Sequence, residues 1–222
     1  MPRAAIIITM MIDRRPLLNL LAWLSPGFPT GGFAYSHGLE WAVEARDIVD
    51  GGTLLAWLTD VLERGSGRTD VILLRHAHRV WQEPSEVVAF ATACSPARER
   101  RDEALHQGRA FRLAVAPWAA VPDDAPYAVA VGVAAGARGI AEDDAAVAYL
   151  QAFATNLISA AVRLVPLGQT AGLVVLSALE PVILAVADET KGAALEDVGG
   201  CAFRSDLAAM RHETQYTRLF RS

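Results

Sequence analysis

The chain has 222 residues, 53% of them hydrophobic and 20% charged, which is enough apolar material for one continuous core and excludes disorder throughout. Its net charge of −5 and pI near 5.5 leave no overall basic footprint for a phosphate backbone, which sets nucleic acid binding aside. Cys94 and Cys201 lie far apart with no CxxC spacing, a pattern that fits two buried thiols in a reducing compartment.

In chain order, residues 4–12 are apolar behind Arg3 but run into Asp13-Arg14-Arg15 with no small-residue cleavage pattern. Residues 1–14 therefore read as a frayed start and not as a targeting segment. Residues 16–24 predict a short apolar helix. Ser25-Pro26-Gly27-Phe28-Pro29-Thr30-Gly31-Gly32 closes it, because prolines and glycines forbid regular structure there. The next helix is expected over 33–45. A third starts at Thr53, with Leu54, Leu58, Val61 and Leu62 at helical spacing, until Gly65-Ser66-Gly67 ends it. A fourth follows to Trp81.

Ser95-Pro96 reads as a cap and first-turn proline opening a charged helix to Val115. Its inward face is Ala97, Ala104, Gly108, Phe111 and Val115, and the small residues imply close helix contact. Residues 125–137 form an alanine-rich helix. From Glu142, the series Ala146, Tyr149, Leu150, Phe153, Leu157, Ala161 and Leu164 makes the cleanest amphipathic helix, ended or kinked at Pro166. Residues 169–188 predict a core helix bent or broken at Pro181, too interrupted for the roughly 20 residues of a membrane span. Residues 191–200 read as poorly ordered. With no strand alternation and no repeat, the expected fold is all-α. It is a single-domain helical bundle of roughly eight to ten helices over 1–222, with a docking tail from about residue 204.

The search for catalytic chemistry ends in near misses. Gly27 and Gly32 have P-loop glycine spacing, but Phe33 and Ala34 stand where Lys and Ser or Thr must reach phosphate and magnesium. His212-Glu213 starts a zinc-type HExxH run, but Tyr216 occupies the second histidine's place. His76 and His78, two apart, leave opposite sides of a helix. No metal, cofactor or catalytic residue is assigned.

Two segments carry more than folding requires. Residues 26–41 place Phe28, Phe33 and Tyr35 beside Ser36, His37 and Glu40, where aromatics either fold inward or serve as contact anchors. The tail, Met210 to Ser222, keeps aromatics and arginines to its last residues, and either docks on a partner or packs on its own core.

Ser25-Pro26-Gly27-Phe28-Pro29-Thr30-Gly31-Gly32-Phe33-Ala34-Tyr35-Ser36-His37-Gly38-Leu39-Glu40 resembles the opening motif of the UreF family of urease accessory proteins. Val162-Arg163-Leu164-Val165-Pro166-Leu167-Gly168-Gln169 resembles its central motif, and Arg-His-Glu-Thr-Gln-Tyr-Thr-Arg-Leu-Phe-Arg-Ser over 211–222 its closing signature. His37 replaces a more usual Gln or aromatic, and Arg163 an often-present Lys. The resemblance implies an all-helical cytoplasmic adaptor that forms a homodimer and binds UreD (also called UreH). It then binds the nickel-carrying GTPase UreG, and the assembly activates apo-urease; no nucleic acid or membrane is involved. It places partner contacts in the segments of Phe33, Arg163 and Arg218. Their motif neighbours Tyr35, His37, Glu40, Arg211, His212, Glu213, Gln215 and Tyr216 complete the expected partner-binding set. Two other readings stay open. Arg163 or Arg218 regulates GTP hydrolysis by UreG, or His212 and Glu213 belong to a metallohydrolase.

Overall fold

A computed structural model describes residues 13–222, so the frayed start expected for 1–14 lies outside the described residues up to position 12. Ten α-helices follow in order: α1 (Arg15–Trp23), α2 (Leu39–Glu44), α3 (Gly51–Arg64), α4 (Ser66–Arg79), α5 (Ser85–Ala93), α6 (Arg98–Val115), α7 (Tyr127–Ala137), α8 (Glu142–Leu164), α9 (Gly168–Glu189) and α10 (Phe203–His212). Among the described residues there is no strand, and the fold is all-α.

Local chemistry accounts for the main boundaries. Asp50 accepts a hydrogen bond from the Thr53 N–H at 2.8 Å while the Thr53 hydroxyl accepts from the Asp50 N–H at 3.0 Å, a reciprocal cap that starts α3. The helix from Glu142 carries three acidic residues in its first turn and Arg163 in its last, which suits its dipole. It ends at Leu164, with Val165 extended ahead of Pro166.

Two apolar clusters share α8. One gathers α2, α3, α9 and α10 around Leu54, Leu58, Leu150 and Leu179; the other gathers α1, α4 and α6 around α7 and Phe111. Small residues set the spacing of the second. A Cβ on Gly132 would lie 2.2 Å from the Leu74 carbonyl oxygen of α4, and one on Gly108 would lie 2.0 Å from that of Ala125. The close contact expected for α6 at Gly108 is therefore present.

Several expectations need correction. The helix expected over 33–45 is a 3-10 turn, Gly32–Ala34, then an extended Tyr35 and two left-handed residues, before α2 begins at Leu39. α5 was not expected. Ser95 does not cap α6; the helix starts at Arg98, and a distant side chain supplies its cap. α9 runs unbroken through Pro181, because the carbonyl that the proline leaves unbonded belongs to Ser177, and both residues sit on the exposed outer face. α8 and α9 are thus long and apolar enough to cross a bilayer by length and composition alone, although α8 is packed into both clusters. Residues 191–200 are tied down: Arg79 donates to the Ala193 carbonyl at 3.1 Å, and Arg68 to those of Asp197 and Gly199 at 2.8 and 3.1 Å. Cys94 and Cys201 are exposed thiols, not buried ones.

Candidate functional site

The aromatics of the opening loop divide. Phe28 turns inward and packs on Phe111 with ring centroids 5.6 Å apart, while Phe33 is 72% exposed. Tyr35 is buried, its hydroxyl 3.4 Å from His106 Nδ1. His37 and Gly38 follow with φ of 62° and 79°, the left-handed turn that delivers the chain into α2. A side chain at position 38 would meet the Ala209 nitrogen at 2.7 Å, so glycine serves both the turn and the approach of α10.

That turn receives the tail. The main-chain N–H of Ser36 donates to the Ser222 carbonyl at 2.9 Å, and that of Arg221 to the Ala34 carbonyl at 2.9 Å. Glu40, at the start of α2, accepts from the Leu219 N–H at 2.7 Å and the Phe220 N–H at 2.9 Å. His212, fully buried, sits between two carboxylates, 2.7 Å from Glu99 and 3.3 Å from Glu40. Glu99 also accepts from Arg218 at 2.6 Å. Glu213 accepts from the N–H of Arg98 at 3.0 Å and so caps α6 from more than a hundred residues away. Gln215 donates to Glu44 at 2.6 Å, and the Ser222 hydroxyl to Glu103 at 2.6 Å. The Arg163 guanidinium lies over the Phe220 ring, 4.5 Å from its centroid.

The three sequence motifs thus meet on one face, and their residues divide by depth. Phe33, Arg163, Arg211, Tyr216 and Arg218 are exposed. Tyr35, His37, Glu40 and His212 are buried, and Glu213 and Gln215 are partly so. These six, part of the partner-binding set that the resemblance implies, also bond or pack within the chain, where a tail without regular structure finds partners for its polar groups. Of the two readings of the tail, packing on its own core is present in the structure.

Sequence reasoning missed Glu99, Glu103, Arg100 and Gln107, the buried polar stripe of α6. In a helix read as merely charged, only their spacing of three and four hinted at one inward face. Glu103 pairs with Arg100 and accepts from Gln107 at 3.0 Å. Burial raises its carboxyl, but Arg100 and His37 outweigh that and hold it at about 2. His37 is pushed down to about 4 by burial and by Arg100; its Nε2 lies 2.5 Å from the Ser66 hydroxyl, while Nδ1, 3.6 Å from Glu103, has no hydrogen-bond partner among the described residues. These groups line a large, partly open cavity with Asp70 and Tyr149. Burial pushes Asp70 up to about 6 against the opposing influence of Arg100 and of the Tyr149 hydroxyl, which donates to it at 2.8 Å. Among the described residues, no group of three or more His, Cys, Asp or Glu is placed to hold a metal ion.

The family model of UreF matches residues 48–180, more than half of the chain. The chain belongs to the UreF family of urease accessory proteins. A urease accessory protein UreF from a Bradyrhizobium species is 49% identical over 225 residues, covering 95% of this chain and 94% of that protein. Another, from Methylorubrum populi, is 47% identical over 227 residues and is covered along 100% of its length, against 96% of this chain. A third, from Cereibacter sphaeroides, is 48% identical over 208 residues, with 93% and 98% covered. For this UreF chain, membership carries a role in urease maturation.

Proposed function

We propose that the face built from the 3-10 turn and the tail is the docking surface for UreD, and that this chain is the cytoplasmic adaptor joining UreD, the GTPase UreG and apo-urease during nickel insertion. The observation that carries the reading is the exposure of large side chains on a backbone that is itself fixed. Phe33 is 72% and Leu219 77% exposed, and Tyr216 is fully exposed, although the main chain on either side is hydrogen-bonded to Ala34, Ser36 and Glu40. Apolar anchors held in place lose little entropy on docking, which is how a few residues supply most of an interface's energy.

The test is capture of UreD by the full chain carrying Tyr216→Ala and Leu219→Ala together. Capture is expected to fall at least about tenfold at unchanged helicity; undiminished capture removes this face from the reading. Arg163 and Arg218 already have partners in Phe220 and Glu99, which favours anchoring over a role as an arginine finger in the UreG site. The outer face of α9, where Leu173, Val174 and Leu184 are all exposed, supports the homodimer that the family likeness implies. Leu173→Glu with Leu184→Glu should yield a monomer by light scattering.

A further inference from the structure

Charges on the docking face are sorted by depth. The side chains of Glu40, Glu99 and Glu103 are only 7, 12 and 8% exposed, and each accepts from two or more donors within the chain. Glu213 is occupied at the start of α6; Glu44 is exposed and accepts from Gln215 through one oxygen. The arginines point outward: Arg98, Arg163, Arg211, Arg218 and Arg221 are all exposed. Among the described residues, neither Arg211 nor Arg221 is in an ion pair, while Arg98 reaches Glu213 only at 3.9 Å. The remaining exposed carboxylate on this part of α6 is Asp102, 4.0 Å from Arg101.

The face is therefore close to neutral in total and yet one-sided at contact range. The exposed charges are five guanidiniums against Glu44 and the half-exposed Asp102, while Glu40, Glu99 and Glu103 lie deeper and are bonded within the chain. On a chain with net charge −5 this is a local inversion of sign. Exposed guanidiniums match carboxylates in a planar two-point geometry, and such rim pairs select partners more than they strengthen binding.

We propose that the partner surface seated on this face is acidic: an apolar depression that takes Tyr216 and Leu219, rimmed by carboxylates facing Arg211 and Arg221. The inference rests on the reading of this face as the UreD docking surface. Because the buried carboxylates offset the arginines at long range, the effect is expected mainly on the lifetime of the complex and only modestly on its rate of formation.

The experiment measures binding of the full chain to purified UreD by biolayer interferometry at low and moderate salt. Arg211→Glu with Arg221→Glu should weaken binding roughly tenfold or more, and Arg211→Gln with Arg221→Gln by an intermediate factor. The neutral pair removes attraction without adding repulsion, so it reads the charge even if the reversed pair unseats the tail. Wild-type binding should weaken with salt and that of the neutral pair markedly less. If both arginine pairs bind like wild type while Tyr216→Ala with Leu219→Ala loses binding, the face stands and the acidic partner is refuted. If the Tyr216→Ala, Leu219→Ala pair also binds normally, the docking reading itself falls.

Discussion

Two joints hold distant parts of the chain together, and they are built on opposite principles. Between α4 and α7, side chains are removed: Gly132 and Gly136 bring backbone against the carbonyls of Leu74 and His78, and the seam is apolar. Between the tail and α2 and α6, side chains are added: Glu40, Glu99, Glu103 and Glu213 supply acceptors to a segment that has no helix or sheet of its own. The first joint gains from close packing, and any added atom harms it. The second substitutes carboxylates for the missing backbone ladder, so it tolerates volume and depends on hydrogen bonds. A packed seam yields only when the fold yields, whereas a hydrogen-bonded strap can be loosened alone, which suits a docking surface.

The largest effect should come from the packed seam. A methyl added at Gly132 would lie 2.2 Å from the Leu74 oxygen, so Gly132→Ala forces the two helices apart. We expect a loss of about 3 kcal/mol or more and a fall in melting temperature of about 10 °C, by thermal circular dichroism. A melting point within a degree of wild type would break the comparison at its stronger end.

Glu40→Gln tests the other joint. Glutamine keeps one acceptor but turns an amide N–H toward a donor, either a tail N–H or the His212 ring, at a buried site. The expected cost is about 2 kcal/mol, localised: amide exchange at Leu219 and Phe220 accelerates while that at Leu74 and Gly132 does not change. Uniform acceleration would show that the strap and the core open together.

The polar cavity behind the strap sharpens the contrast through pH. Asp70 has its folded pKa raised to about 6 from an ordinary 3.8, so the ionised form is disfavoured in the folded chain. Its contribution is fully present below pH 4 and is lost as pH rises through 6. Asp70→Asn keeps an acceptor for the Tyr149 hydroxyl and removes that loss. The variant should be more stable than wild type at pH 7, by about 1–2 kcal/mol, and the two should converge toward pH 4 in urea titrations.

How much of this was legible in the sequence follows the same division. Close packing was readable in kind at α6, where small residues at helical spacing such as Gly108 announce close approach before the partner is known; the glycines of the α4–α7 seam stood in a run read only as alanine-rich. The opening and closing motifs were legible as segments but not as a geometry. Nothing local in Glu40 or Glu99 says that its acceptors are reserved for residues more than a hundred positions away, and a carboxylate on a helix reads as solvated by default. The turn at His37 and Gly38 fell inside the helix expected over 33–45; the left-handed backbone goes with the contact of Gly38 with α10, which the sequence does not show. Likewise, Pro181 reads as a break from sequence, and the exposure that lets the helix continue is a property of the packed molecule.

The smallest expected change in stability belongs to Tyr216→Ala. The ring is fully exposed, no hydrogen bond of its side chain holds the tail, and the strap is anchored on either side by Glu213 and Glu40, so the melting temperature should move by no more than about 1–2 °C. On the proposed docking reading, binding to UreD should lose about 2 kcal/mol under conditions where stability loses almost none. A fall in melting temperature matching the loss of binding would mean that Tyr216 supports the strap itself, and the separation between a structural inner layer and a docking outer layer would not hold at the residue where it is widest.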